Sequence, residues 1–345
     1  MKAMPQKTLL LLVAALGAIG AASPSAAQVQ VGDWTERPDA RAPAGVNQDA
    51  ILAPLTYEVR YNVEFRSYEG LKAGTEDVPA VLVLQDWDLA PLSMATQRHE
   101  LEFRAGLLDW LGASIRVPFL STSAEFVNEQ FRGTPSASGL GDVEVRALLE
   151  LHETWPYRAH AVAGVSIPTG SVEEDGQLPD GPIGGPDRTL PYPMQPGDGT
   201  FALLPGAVFV AENEFGTVGI QGEARIPIGE NDRGWTRGTG LTAQIWMAHR
   251  FTDWVSGSAR VSYQRVGDLS GADDAVFAFS SPLGHPDLQG GTRIEAPVGV
   301  NFRFPEGRLE GHRLHFEIVI PVHQDLDGPQ LKPSTGAAIS WGFAF

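Results

Sequence analysis

Twelve stretches of this chain alternate apolar with polar residues, and the connections between them alternate long with short. The stretches are 57–65, 99–108, 111–119, 142–151, 158–167, 201–211, 217–228, 241–250, 254–264, 293–304, 313–322 and 335–345. In the first, Tyr57, Val59, Tyr61, Val63 and Phe65 share one face, and Glu58, Arg60, Asn62 and Glu64 share the other, because successive strand side chains point to opposite sides. Each stretch has roughly the 9 to 11 residues that a tilted membrane-spanning strand needs. The long connections are 66–98, 120–141, 168–200, 229–240, 265–292 and 323–334; the short ones are 109–110, 152–157, 212–216, 251–253 and 305–312. A soluble sandwich or jelly roll gives no reason for that parity, whereas an outer-membrane barrel puts short turns in the periplasm and long loops outside. The fold expected is all-β: a transmembrane antiparallel up-and-down β-barrel of about 12 strands over 55–345, with long extracellular loops and short periplasmic turns.

The two ends of the chain support the same compartment. Lys2 and Lys7 precede an apolar run, Thr8 to Ala22, and small residues through Ala27, the pattern of a secretory signal peptide over 1–27. Residues 28–54 are polar, carry Pro38, Pro43 and Pro54 and show no sustained period, so they are expected to form a loosely ordered periplasmic N-terminal arm. At the other end Ala337, Ile339, Trp341, Phe343 and Phe345 share one face of a final strand. That strand resembles the closing strand of bacterial outer-membrane proteins, whose terminal phenylalanine is recognised by the barrel assembly machinery. There is no cysteine, and the formal net charge of −17 argues against nucleic-acid partners. The partners expected are outer-membrane lipid, lipopolysaccharide, the assembly machinery and an unidentified small solute.

Two finer regularities fit that orientation. Trp110, Trp155, Phe215, Phe251 and Trp254 lie in or beside the short turns, as an interfacial aromatic girdle would. Val117-Pro118, Ile167-Pro168, Ile226-Pro227 and Ile320-Pro321 are read as outer-rim strand ends, since proline lacks a ladder donor.

Motifs for chemistry are sparse. The G-x-S-x-G, H-E-x-x-H and glycine-rich phosphate-loop patterns are absent, so no catalytic residue, cofactor or metal ligand is assigned and the chain is not read as an enzyme. Of the histidines, His160 and His315 are placed in the lumen, and His99, His249, His285, His312 and His323 at rims or loops. Acidic loop clusters, Glu173-Glu174-Asp175 and Asp325-x-Asp327-Gly328, match no complete calcium loop.

The polar faces carry a recurrent acid-x-arginine pair: Glu58/Arg60, Glu64/Arg66, Glu102/Arg104, Glu144/Arg146 and Glu223/Arg225. Residues two apart on a strand share a face, so each pair projects into one space. With Arg116, Arg158, His160, Arg260, Arg303, His315 and Glu317 they are the candidate lumen-lining residues. Roughly twelve strands, between the filled eight-stranded barrel and the open porin, imply a narrow charged conduit. A closed structural or surface-binding barrel and, further off, a barrel enzyme are the alternatives.

Residues 285–293, 309–314 and 324–331 with the terminal strand, together with Gly139-Leu-Gly-Asp142 and Val165-Ser-Ile-Pro-Thr-Gly170, resemble a family of proteobacterial outer-membrane transporter proteins. That family is similar to the outer-membrane proteins associated with the meta pathway of phenol degradation. The resemblance implies a barrel that passes small, aromatic or hydrophobic molecules, and it supplies no catalytic or binding residue.

Overall fold

The computed structural model describes residues 37–179, 185–276 and 280–345. The signal peptide expected over 1–27 lies outside the described residues. Twelve antiparallel strands close into a barrel. They are β1 (Tyr57–Gly74), β2 (Ala90–Leu108), β3 (Leu111–Val127), β4 (Val143–Thr154), β5 (Tyr157–Ile167) and β6 (Phe201–Leu203 continuing as Gly206–Glu212). The second half comprises β7 (Gly216–Ile228), β8 (Gly240–Arg250), β9 (Val255–Val266), β10 (Gly291–Glu295 continuing as Val298–Arg303), β11 (His312–Val319) and β12 (Gly336–Ala344). Each pairs with the next, and β12 closes onto β1 with Val59 opposite Phe343 and Phe65 opposite Ala337. Closure leaves no open sheet edge, the condition for backbone polar groups to cross a bilayer as strands.

Burial is inverted relative to a soluble sheet. Glu58, Arg60, Asn62, Glu102 and Arg104 are buried inside, while Tyr57, Tyr61, Phe65, Leu101 and Phe103 are exposed outside. Ile115, Phe209, Ile220, Ile318 and Ile339 continue that outer apolar belt around the wall. A belt this extensive on the outside of a closed barrel is the surface that lipid covers. At the short-turn end Trp110, Trp155, Phe215, Phe251 and Trp254 are all exposed, the placement expected for the girdle. The terminus joins that end: the Tyr57 N–H donates to the Phe345 carbonyl, and the Phe345 ring stacks on Phe343 with centroids 5.7 Å apart.

Several strands run farther outward than their periodicity foretold. β1, β2 and β3 continue well beyond 65, before 99 and past 119, with Glu69 opposite Ser93 and Met94 opposite Ala124. Their outer halves carry polar residues on both faces, so pairing persists where the two-sided pattern fades. Pro118 therefore does not end its strand, which corrects its reading as a rim residue. The proline instead sits where the ladder to β4 is interrupted, and its carbonyl accepts from the Gly141 N–H at 2.9 Å. His99, expected at a rim or loop, lies mid-strand opposite Val63 on the outer face, its Nδ1 2.7 Å from the Tyr61 hydroxyl. The expected loop 323–334 is also largely strand. Pro321–Pro333 rises beside β10, turns near Leu326 and descends beside β1.

Three apolar clusters are buried among the described residues, one of them, Tyr192, Trp235, Leu269 and Val276, formed by the long loops alone. At the long-loop end Val83, Leu178, Leu190, Met194, Leu283 and Leu331 pack on Met94, Ala124 and Phe126. The apolar stretch 78–84 contributes one helical turn, Ala80–Val83, with Val83 buried in that cap. At the opposite end Ala42 and Val46 pack against Val208, Val210 and Trp246. This last cluster exists because the chain before β1 is inside the barrel. Residues 37–54, expected as a loosely ordered periplasmic arm, are instead folded into the lumen, with Asp39, Val46 and Asp49 fully buried.

Candidate functional site

The interior of the barrel holds the functional candidates, and it is organised around Asp49. Arg41 and Asp49 come from the inserted segment, and Glu58, Arg60 and Arg104 from the inward faces of β1 and β2. The Asp49 carboxylate lies 3.1 Å from Arg104 and 3.4 Å from both Arg41 and Arg60, and it accepts the Ala42 N–H at 3.0 Å. Glu58 pairs with Arg41 at 2.9 Å and with Arg104 at 3.1 Å. Three guanidiniums and two carboxylates thus form one buried knot that ties segment to wall. In a low-dielectric interior such a knot holds only while every charge keeps its partners.

The rest of the segment is fixed by wall side chains on its backbone. The His160 ring nitrogen Nε2 is 2.6 Å from the Gln48 carbonyl, Arg158 donates to Ala40 at 2.7 Å, and Gln221 donates to Asn47 at 2.7 Å. Arg104 also donates to the Ala50 carbonyl. Glu317 accepts the Gly45 N–H at 2.8 Å and pairs with Arg260 at 3.0 Å. A side chain at position 45 would overlap the Arg260 guanidinium, so glycine there lets backbone and salt bridge share the space. No strand of the sheet is contributed by 37–56; only Leu55 and Thr56 exchange backbone bonds with Gly106.

The candidate lumen residues therefore fall into separate groups. Glu58, Arg60, Arg104, Arg158, His160, Arg260 and Glu317 hold the inserted segment. Glu64, Glu144 and Arg225 line a cavity of about 550 Å³ nearer the long loops. Arg116 and Arg146 pair with Glu144 at 3.1 and 2.6 Å, and Glu223 pairs with Arg146 at 3.1 Å. Glu102 is fully buried, 4.0 Å from Arg116. His315 is buried against Asn301 at 3.0 Å, and Arg303 is half-buried at the short-turn end of β10. The acid-x-arginine pairs close on their own strand at Glu58/Arg60 (3.3 Å), Glu64/Arg66 and Glu144/Arg146. Arg104 and Arg225 reach instead to other elements, Arg225 to Asp198 at 2.7 Å.

A second cavity of about 210 Å³ lies below the first and has Ala44, Gly45, Asn47 and Gln48 of the inserted segment in its wall. The two share Glu64, Arg66, Arg98 and Gln264. Arg66 forks onto Glu295 at 2.6 and 3.1 Å at that junction. From the long-loop side, residues 190–200 descend to the upper cavity and are clamped by Asp198. Burial pushes the Asp198 carboxyl up, but Arg237 and Arg225 outweigh it and hold the group below the usual carboxylate range.

Sequence reading missed the inserted segment, yet it carried a sign of it. The inward faces of β6 and β8 bear Val208, Val210 and Trp246 where a wet lumen would favour polar residues, and apolar groups facing inward need a cover. Gly219 makes room for the Trp246 ring, which a Cβ at 219 would overlap. Gly219→Val is expected to push the indole out of its place against Ala42 and Val46, at a cost of about 1–3 kcal/mol. Faster proteolysis within 37–54 in the variant, with the barrel itself still resistant, is the readout; an unchanged cleavage rate would show that the indole does not hold the segment.

No family model matches the chain, and no curated protein matches its sequence. Among solved structures, an outer-membrane channel from Pseudomonas putida F1 superposes with a TM-score of 0.57 at 14% identity, covering 88% of this chain and 100% of that one. The transport unit of the autotransporter AIDA-I from Escherichia coli aligns at 10% identity over 91% of this chain and 97% of that one, with a TM-score of 0.48 too low to carry an argument. The first likeness, at this identity, is one of fold: a closed antiparallel outer-membrane barrel.

Proposed function

We propose that the chain is an outer-membrane channel for a small solute, closed on its periplasmic side by residues 37–54. The observation that carries this reading is the way the segment is attached. It adds no strand to the barrel and is held by side-chain hydrogen bonds and ion pairs, so it can leave as a unit while the closed ladder of twelve strands persists. Two cavities in series above it, joined at Glu64, Arg66, Arg98 and Gln264, are the path a solute would take. The outward apolar belt and the Phe345 strand support insertion into the outer membrane by the assembly machinery.

The loops belong to the same device. Leu178, Leu190 and Met194 of the connection between β5 and β6 are buried in the outer cap, and Pro193, Gln195 and Asp198 face the upper cavity. Shortening 168–200 to a tight turn is expected to raise conductance and lengthen open events in planar bilayers, relative to the full chain. A purely structural barrel predicts silence from both proteins when folding and insertion are verified. That outcome would overturn the channel reading.

A further inference from the structure

Resting on the channel reading, the upper cavity also indicates what class of solute it takes. Five arginines line it. Arg66 is paired with Glu64 and Glu295, Arg98 with Glu100, Arg225 with Asp142, Glu144 and Asp198, and Arg237 with Asp198. The fifth, Arg293, has neither an ion pair nor a side-chain hydrogen bond among the described residues, whereas every carboxylate in the lining is already engaged. A guanidinium facing a cavity with its planar fork unoccupied is a ready site for an oxyanion, which it can bind by two parallel hydrogen bonds.

The strand register sets what surrounds it. Gln264 of β9 lies opposite Arg293, lines both cavities, and offers a second polar group at the same height. One step outward on the same face Val266 lies opposite Gly291; one step inward Ser262 lies opposite Glu295. Outward the cavity is roofed by Met94, Leu283 and Leu331 of the outer apolar cluster, Leu120 lies in its wall opposite Arg98, and inward it narrows at the Arg66–Glu295 pair. Apolar roof, single uncommitted cation and charged neck therefore follow one another along the axis. A cavity of about 550 Å³ lies within the range of small-molecule sites.

We propose that Arg293, with Gln264, binds the carboxylate of a small amphipathic anion whose apolar body rests against Met94, Leu120, Leu283 and Leu331. An anion of this kind satisfies both halves of the cavity at once. A cation would meet the unpaired guanidinium, and a fully polar anion would leave the roof uncovered.

The test is equilibrium dialysis of hexanoate against the full chain in detergent, with empty micelles as blank and hexanamide and acetate as comparison probes. Saturable hexanoate binding, weaker for both other probes, is expected. Arg293→Gln is expected to weaken hexanoate binding about tenfold or more, as loss of a charge-assisted fork should, and Arg293→Lys less. Arg265→Gln, on the exposed outer face of β9, should leave it unchanged. Hexanamide binding as tightly as hexanoate, acetate binding as tightly, or an Arg293→Gln protein with wild-type affinity would each overturn the proposal. Because binding is read in detergent and conductance in bilayers, lost binding beside intact conductance rejects the solute class alone. Intact, Arg293-dependent binding in a barrel that never conducts keeps the site and rejects the channel.

Discussion

Deleting residues 37–54 is expected to convert a barrel of low conductance into one whose single-channel steps are at least several-fold larger, with the twelve-stranded wall unchanged. The segment occupies the periplasmic cross-section of the lumen: Val46 and Asp49 are buried at its centre, and wall residues from β1, β2, β5, β7 and β11 reach inward to it. A barrel of this strand number has an interior wider than its own side chains fill, so removing the segment should open a continuous water path from the lower cavity. The deletion ends before the Leu55 and Thr56 bonds to Gly106, which leaves the start of β1 anchored. Planar-bilayer recording of the two refolded proteins gives the comparison. Equal conductance, with both shown to be inserted, would mean that the barrier lies in the outer loops and that the segment is only a filler.

Asp49→Ala should release the same segment without shortening the chain. The substitution leaves Arg41, Arg60 and Arg104 around a void that once held a carboxylate, with Glu58 to offset them nearby. Removing one partner of a buried charge cluster costs about 3–5 kcal/mol. That exceeds the net contribution of any one neutral hydrogen bond fixing the segment, about 0.5–1.5 kcal/mol. The barrel ladder does not depend on Asp49, so the cost falls on the seating of 37–54. We expect rapid protease cleavage there and conductance shifted toward that of the deletion. Asp49→Asn should lie between, since it keeps the acceptor for the Ala42 N–H and loses the charge. A segment that stays protected in Asp49→Ala would place its hold in the Val208, Val210 and Trp246 contact instead.

The barrel was legible because its rules are local. Tyr57 to Phe65 declares an apolar and a polar face residue by residue, and the parity of long and short connections follows from each strand having two ends. The girdle at Trp110, Trp155, Phe215, Phe251 and Trp254 is legible for the same reason, being tied to the turns beside it. Where the two faces become alike, as in the outer parts of β1 to β3, the period vanished though the pairing continued, because backbone hydrogen bonds need no side-chain contrast. Pro118 misled in a related way: the missing donor interrupts one ladder, and the other partner strand carries the chain onward.

The acid and arginine pairs were also read from spacing, since residues two apart must share a face. Their partners were not, and for Arg104 and Arg225 these come from elements distant in sequence. The sequence by itself determined that the chain is a closed antiparallel barrel with charged residues inward, because two-residue periodicity and connection length act over a few positions. Only the tertiary structure decided that residues 37–54 fill the lumen, that three arginines converge on Asp49, and that Arg293 has no ion pair among the described residues. A segment with no period of its own takes its conformation from the cavity that surrounds it, and that cavity exists only once the last strand has closed on the first.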